Sequence, residues 1–324
     1  MAPTCPGRWT GGAGACFASP MPPRDQHPDR RDEPMRGIPL LLSAIVLFSI
    51  SDAMAKHLGQ SLPAVEVAWL RYLAFFGLVL LPLARRGGSR FVASRAPRMQ
   101  VLRGLGVVGS AILFIMALQH LPMAEATAIN FVSPVFVTIL SIFFLAERVG
   151  WRRWSAIAVG MVGMLIIVRP GSEVFSLAAL LPVVSSAAWA CAIVVTRRMG
   201  SLDPPETTLL WTAGVGFAVL SLLLPVTLLL RGQGFALPDA GQVGLGLLIG
   251  LVSSVAQWLV VLAYRAAPAT VLAPFSYSQL LTSGLLGLVV FGNAPDGWTL
   301  LGAAVIAASG LYTAHRERVR SRGG

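Results

Sequence analysis

The amino-acid sequence predicts an all-α polytopic membrane protein of ten transmembrane helices, arranged as two inverted five-helix repeats. Three observations predict this class. Of 324 residues, 55% are hydrophobic and 12% are charged, against roughly a quarter charged in an average soluble protein. Apolar runs of about 20 residues, the length that crosses a bilayer as a helix, recur from residue 38 to residue 314. The second half repeats the first at a nearly constant shift. So few charges cannot coat a soluble fold, and so much apolar surface excludes disorder for the bulk of the chain. Three Cys, an odd count with Cys5 and Cys16 in a polar stretch, exclude a disulfide-stapled secreted domain. A membrane barrel is excluded because the segments are continuously apolar rather than alternating.

Residues 1–34 are rich in Pro, Gly, Arg and Asp and hold no apolar core of signal-peptide length. They are expected to form a disordered cytoplasmic leader. Met35 directly precedes the first apolar run, so either Met1 or Met35 is the translational start. Spans are expected near residues 38–58, 64–83, 101–120, 124–146, 151–169, 174–196, 206–230, 241–264, 270–292 and 297–314. Helix punctuation separates them, for example Ser61-Leu62-Pro63, Arg86-Gly87-Gly88 and Asp203-Pro204-Pro205. The first repeat then covers 36–170 and the second 174–314, with a basic cytoplasmic tail at 315–324.

Net charge is +11, and every basic residue except Lys56 is Arg. With the N-terminus inside, 21 basic residues fall in inner segments and three (Lys56, Arg169 and Arg231) in outer ones. That asymmetry places both termini in the cytoplasm, and it makes anionic lipid at the cytoplasmic face a partner rather than nucleic acid. The protein is expected in the cell inner membrane.

Residues 117–122 match 263–268 at a shift of 146, and Glu147 then falls on Asn293. Lys56-His57-Leu58-Gly59 matches Arg197-Arg198-Met199-Gly200 at a shift of 141, and Pro63 meets Pro204. Five spans per repeat is an odd number, so the second copy must enter the membrane upside down. The loops after spans two and four hold nine Arg, whereas the equivalent loops of the second repeat hold only Arg231. Inverted repeats characteristically enclose a site near the midplane that is exposed to each side in turn.

Polar residues at helical spacing in a bilayer face protein or water rather than lipid. Span one carries Ser49, Asp52 and Lys56; span four Asn130, Pro134, Thr138 and Ser141; span six Ser185, Trp189 and Thr196. Span eight carries Ser253, Gln257 and Tyr264, and span nine Ser276, Gln279, Ser283 and Gly287. Ser, Thr and the small residues are compatible with plain helix packing. Asn130, Gln257 and Gln279 fit cavity lining equally well, and Trp69, Trp189, Trp211, Trp258 and Tyr277 could stack on a planar ligand. Spans five and ten present small apolar faces, Ala156–Gly163 and Ala303–Gly310, suited to the periphery or to a homodimer interface.

The charged residues cost more. A mid-span carboxylate or guanidinium carries a penalty of roughly 2.5–3.5 kcal/mol, which calls for a partner or a purpose. Asp52 lies about 9 Å inside span one from its outer end, and Arg71 about 11 Å inside span two from the same face, so they can meet. Two readings stand: a cavity pair that binds a charged substrate group or titrates, with Asp52 as the coupling candidate, and a static ion pair locking spans one and two. Glu66, Glu125 and Glu147 lie at helix ends, where solvated carboxylates are ordinary.

Gly104-Leu105-Gly106-Val107-Val108-Gly109 fits the dinucleotide fingerprint, but it follows no strand and opens a membrane span, so it reads as helix packing. Gly246 to Gly250 reads likewise. No paired metal spacing, GxSxG or P-loop occurs. No catalytic residue, metal or cofactor is expected, and the protein is not expected to be an enzyme.

The chain resembles the EamA-domain family of the drug/metabolite transporter superfamily over roughly residues 36–314. The likeness is carried by Ser51–Lys56, Glu66–Tyr72, Ala124–Ile129 through Ser133-Pro134, Ala146-Glu147-Arg148, and Ala273–Tyr277. The usual acidic residue after span nine is Asn293 here. The resemblance implies ten helices around a central cavity. It also implies secondary transport, without ATP, of a small organic metabolite by alternating access: an amino-acid derivative, a nucleoside-like compound, or a vitamin or coenzyme such as riboflavin or S-adenosylmethionine. A passive channel and a multi-pass membrane enzyme or assembly factor are the rival classes.

Overall fold

The computed structural model describes residues 34–85, 93–145, 151–169, 176–199, 202–230, 238–266, 272 and 275–322. The leader, the Arg-rich stretch 86–92, Glu147, Arg148 and Arg231 lie outside them. Helices are α1 (Pro34–Leu58), α2 (Ala64–Arg85), α3 (Pro97–His120), α4 (Met123–Asn130), α5 (Ser133–Leu145), α6 (Trp151–Val168), α7 (Leu180–Met199), α8 (Pro205–Leu230), α9 (Ala240–Ala266), α10 (Ser278–Phe291) and α11 (Gly297–Arg322). A single 3-10 turn, Leu177–Ala179, leads into α7, with Ser176 capping it. Among the described residues there is no strand, and six stretches are long and apolar enough to cross a bilayer by themselves.

Two spans are interrupted. Span four breaks between α4 and α5 at Phe131 and Val132. The cause is Pro134, which has no N–H to give the carbonyl of Asn130 and disfavours helical backbone just before it. Span nine is interrupted in the same way: Leu272, Phe275 and Ser276 are helical, Tyr277 is a turn, and the helix continues over Ser278–Phe291.

Packing repeats under exchange of the halves. α1 lies chiefly on α9, and α7, its counterpart, lies chiefly on α3. Likewise α2 touches α9 as α8 touches α3. In the same way α5 lies on α7 as α10 lies on α1. Three further contacts, α6 with α11, α2 with α8 and α4 with α10, join a helix to its own equivalent, and these pairs run antiparallel. Trp69 hydrogen-bonds Ser221 while Phe76 stacks on Phe217 further along α2 and further back along α8. Met123 lies against Gly287 while the Phe131 ring lies tilted against Tyr277. Gly160 lies against Ser309 and Gly163 against Ile306. The 146-residue shift carries position 160 onto 306 and 163 onto 309, so these two contacts are images of each other. An element that runs antiparallel to its own duplicate is inverted.

The loops agree. At one end, Asp203 between α7 and α8 accepts hydrogen bonds from Ser94 Oγ (2.5 Å), the Arg95 N–H (2.9 Å) and Gln100 Nε2 (2.8 Å). Burial raises the Asp203 carboxyl, but these bonds and the Arg95 charge outweigh it and hold the group below its ordinary value. At the opposite end, Arg169 pairs with Asp296 at 2.6 Å. Arg169 takes the left-handed conformation that closes α6, and Asp296 receives the Thr299 N–H at the start of α11. His57 and Asp239 line a common cavity at that second end. The segment between α2 and α3 and its counterpart between α8 and α9 therefore sit at opposite ends.

Glycines set the close approaches. Gly104 and Gly106 admit Val215 and Ala192, so the apparent fingerprint is packing. Gly246 and Gly250 admit Leu70 and Ala74 of α2. Outward, Phe143, Leu222, Leu229 and Leu281 are each more than 70% exposed. An apolar coat of this kind suits lipid and not water.

Candidate functional site

Asp52 and Arg71 meet where α1, α2 and α9 converge. Asp52 is buried, and its Oδ1 stands 3.9 Å from Arg71 Nη1. That separation is an ion pair but not a hydrogen bond. Arg71 Nε instead donates to Ser253 Oγ at 3.2 Å, and Ser253 Oγ donates back to Gly250 O at 3.1 Å. Gly250 carries no side chain, which lets α9 rest on Arg71 O and Ala74. The pair is thus held by three helices from both repeats, with each charge keeping donor or acceptor capacity for a third group.

Lys56 shares the Asp52 stripe but turns elsewhere. Its Nζ donates to Leu118 O at 2.7 Å and Leu121 O at 2.5 Å, and lies 5.5 Å from the centre of the Phe291 ring. It satisfies carbonyls at the C-terminal end of α3, the position where a cation is favoured. One turn before Asp52 in the other direction, Ser49 Oγ and Thr282 Oγ1 hydrogen-bond at 2.7 Å, joining α1 to α10.

The second feature is the meeting of the two helix breaks. Phe131 sits in the break of span four and Tyr277 in the turn before α10, and their ring centroids are 5.2 Å apart. Under the 146-residue shift, position 131 falls on 277: equivalent interruptions of equivalent helices touch. Asn130 ends α4 beside this contact, and its Oδ1 is buried with no hydrogen-bond partner. The Tyr277 hydroxyl occupies the notch left by Gly310. Gln279 is half-buried in the first turn of α10.

The other candidates stand apart from these contacts. Gln257 is half-buried on α9, and Trp258 is 50% exposed. Trp189 is 37% exposed on α7. Trp69 is engaged in the α2–α8 seam, donating to Ser221 at 2.9 Å and lying against Phe217. A cavity of about 330 Å³, lined by His57, Leu58, Ser61, Asp239, Gln242 and Leu245, opens at the bundle end nearer Asp52. His57 follows Asp52 by five residues, about 7.5 Å along the helix.

One participant is not singled out by the sequence: Phe131 is legible only by carrying Tyr277 back through the shift of 146.

Comparison with known proteins agrees with this architecture. The sequence profile of the EamA-like transporter family matches twice, over residues 35–169 and 176–313. A riboflavin transporter of Rhizobium johnstonii is 33% identical over 285 residues, covering 87% of this chain and 92% of the relative. An S-adenosylmethionine uptake transporter of Rickettsia felis is 28% identical over 284 residues, covering 88% and 94%. A solved crystal structure at 22% identity aligns with a TM-score of 0.57 over 86% of this chain and 98% of the other, which shows the shared fold. The chain belongs to the EamA-like transporter family and is a multi-pass membrane protein.

Proposed function

We propose that this family member is a secondary transporter whose cargo is a flat nitrogen heterocycle bearing a hydroxylated five-carbon unit. Riboflavin and S-adenosylmethionine, named for the relatives, share that chemistry. The observation that carries the reading is the contact of the two helix breaks. Phe131 and Tyr277 offer ring faces on which a heterocycle stacks, and Asn130 Oδ1 is a buried acceptor without a partner. Interrupted helices at the junction of inverted repeats are where transporters of this build hold their substrates. Asp52 and Arg71 lie toward the His57–Asp239 end and receive the polar or charged part of the cargo. Asp52 is also the candidate for coupling transport to a proton gradient.

In this scheme the two halves rock about the junction and expose the site to each side in turn. The Arg-rich segments face the cytoplasm, so both termini are cytoplasmic. Uptake of labelled riboflavin, S-adenosylmethionine and ring-free amino-acid derivatives into proteoliposomes tests the reading. Saturable uptake of at least one ring-bearing compound, competed by others of its class, is the expected result. No flux across the ring-bearing panel, or preference for ring-free cargo, contradicts it.

A further inference from the structure

The two repeats build matching three-helix junctions that differ in charge. In the first, α1, α2 and α9 hold Arg71 beside Asp52. Its image is the junction of α7, α8 and α3. The Gly250–Ala74 and Gly104–Val215 approaches correspond under the shifts of 146 and 141, which fixes the register between the two. In that register Thr212 stands where Arg71 does, and Ile193 where Asp52 does. The second junction takes its cation from α3 instead, as Arg103, and has no acid in the place of Asp52.

Arg103 is half-buried, six residues into α3 and about 9 Å along its axis. Its Nε donates to Thr196 Oγ1 of α7 at 2.8 Å, and its Nη1 donates to Thr212 Oγ1 of α8. Both acceptors are neutral, and among the described residues Arg103 forms no ion pair. Three of its five N–H groups remain, two of them on Nη2. A guanidinium stays charged in any protein environment, and within a membrane span that charge calls for a partner or a use. The side chain points between α7 and α8 toward Tyr72 and Arg71. Thr212 and Gly216 lie one turn apart on α8, and the Tyr72 ring fills the notch at Gly216. Tyr72 is buried and within electrostatic reach of both arginines. Arg71, Tyr72 and Arg103 therefore form a line through the bundle, from the side of the His57–Asp239 end to the side of the Asp203 end.

We propose that Arg103 is a second cargo ligand, on the opposite half of the transport path from Arg71, and that it takes an oxyanion of the cargo, a carboxylate or a phosphate. The proposal rests on the transport reading above and narrows its cargo to heterocycles that also carry a negative group. Thr196 and Thr212 set the guanidinium before the anion arrives, and its planar array of free donors suits the oxygens of a carboxylate or phosphate. The cargo supplies here the charge that Asp52 supplies in the first junction. As the halves rock, Arg71 meets the anion from the His57–Asp239 end and Arg103 from the Asp203 end.

The test uses the full-length protein in detergent and two matched pairs of compounds. Riboflavin and riboflavin 5′-phosphate differ by a phosphate; S-adenosylmethionine and its decarboxylated form differ by a carboxylate. Apparent affinities come from the rise in unfolding temperature, since a ligand of the native state raises apparent stability. In at least one pair the oxyanion-bearing member is expected to bind about tenfold tighter, the worth of a charge-assisted bond, and the pair that does so identifies the anion. Arg103→Gln lowers that ratio at least about threefold and changes the affinity of the anion-free member by less than about twofold. Thr212→Val keeps the charge but frees the fork, and it lowers the ratio in the same direction; it carries the test if Arg103→Gln does not fold. Arg98→Gln removes an exposed charge of the same helix and leaves the ratio unchanged, since screening limits exposed charges. The inference is overturned if neither pair shows the preference, if the ratio survives Arg103→Gln or, where that variant does not fold, Thr212→Val, or if Arg98→Gln lowers it as much. If none of the four compounds binds, the cargo reading itself fails as well.

Discussion

Gly250 is a position where one added methyl group tests the packing that holds the Asp52–Arg71 pair. A Cβ there would stand 2.6 Å from Ala74 Cβ and closer still to the Arg71 carbonyl oxygen. Neither obstacle is the far end of a flexible side chain, so α9 must move from α2 by about 1 Å to restore ordinary contact. Overpacking of this kind costs roughly 2–3 kcal/mol, offset by about 1 kcal/mol from replacing Gly by Ala in a helix. The expected net loss for Gly250→Ala is about 1–2 kcal/mol. Because α1 rides on α9, the shift also opens the pair from 3.9 Å toward about 5 Å. At an effective dielectric near 20 that weakens it by about 1 kcal/mol. Gly244→Ala, on the same helix with nothing within 4 Å of its Cβ, is the control and should be neutral or slightly stabilising. Denaturant or thermal unfolding of the purified variants supplies the comparison, with flux measured in parallel. Equal stability of the two variants would refute the close approach of α9 to α2.

Four further outcomes are expected. Asp52→Asn should reach the membrane in normal amounts yet transport poorly, as judged by quantitative blotting and proteoliposome flux; loss of expression would favour a static pair instead. Lys56→Met should destabilise by roughly 1.5–3 kcal/mol, because the carbonyls of Leu118 and Leu121 lose a charged donor; unchanged unfolding would contradict the capping role. Asp203→Asn should lower stability at pH 7. The Asp203 carboxyl is depressed in the folded state, so its contribution is present above the unfolded value near 3.9 and is lost as pH falls through the folded value. The variant should therefore show a shallower acid loss below about pH 4 than the parent, and identical acid slopes would remove Asp203 from the account. Phe131→Ala should raise KM for ring-bearing cargo more than it lowers kcat, since stacking acts on binding; a pure kcat effect would place Phe131 outside the site.

Much of the architecture was legible. Hydropathy fixed the spans because a bilayer demands about 20 apolar residues per crossing. The shifts of 141 and 146, together with an odd number of spans per repeat, required the inversion that the Gly160–Ser309 and Gly163–Ile306 contacts display. The breaks were less legible. The apolar run of Ala124–Ile129 continues past Phe131, and only Pro134 marks the interruption. Asp52 and Arg71 could be paired by depth alone, since both positions count from the same end. Lys56 could not be placed that way. Helical periodicity gives the face a side chain leaves from, and a four-carbon stem then reaches Leu118 and Leu121 on another helix. The third helix behind the pair, α9 with Ser253 and Gly250, depends on contacts between the repeats that no single-span pattern contains.

The central claim is that the two halves lie inverted in the membrane, with Arg-rich loops of the first on the cytoplasmic side. Single cysteines at Arg95 and Ala240, both exposed, in a background lacking Cys5, Cys16 and Cys191, test it with a membrane-impermeant thiol reagent on intact cells. The cysteine at 240 should label from outside, and the cysteine at 95 only after the membrane is opened. Labelling of both positions from the same side would contradict the inversion and the transport mechanism built on it.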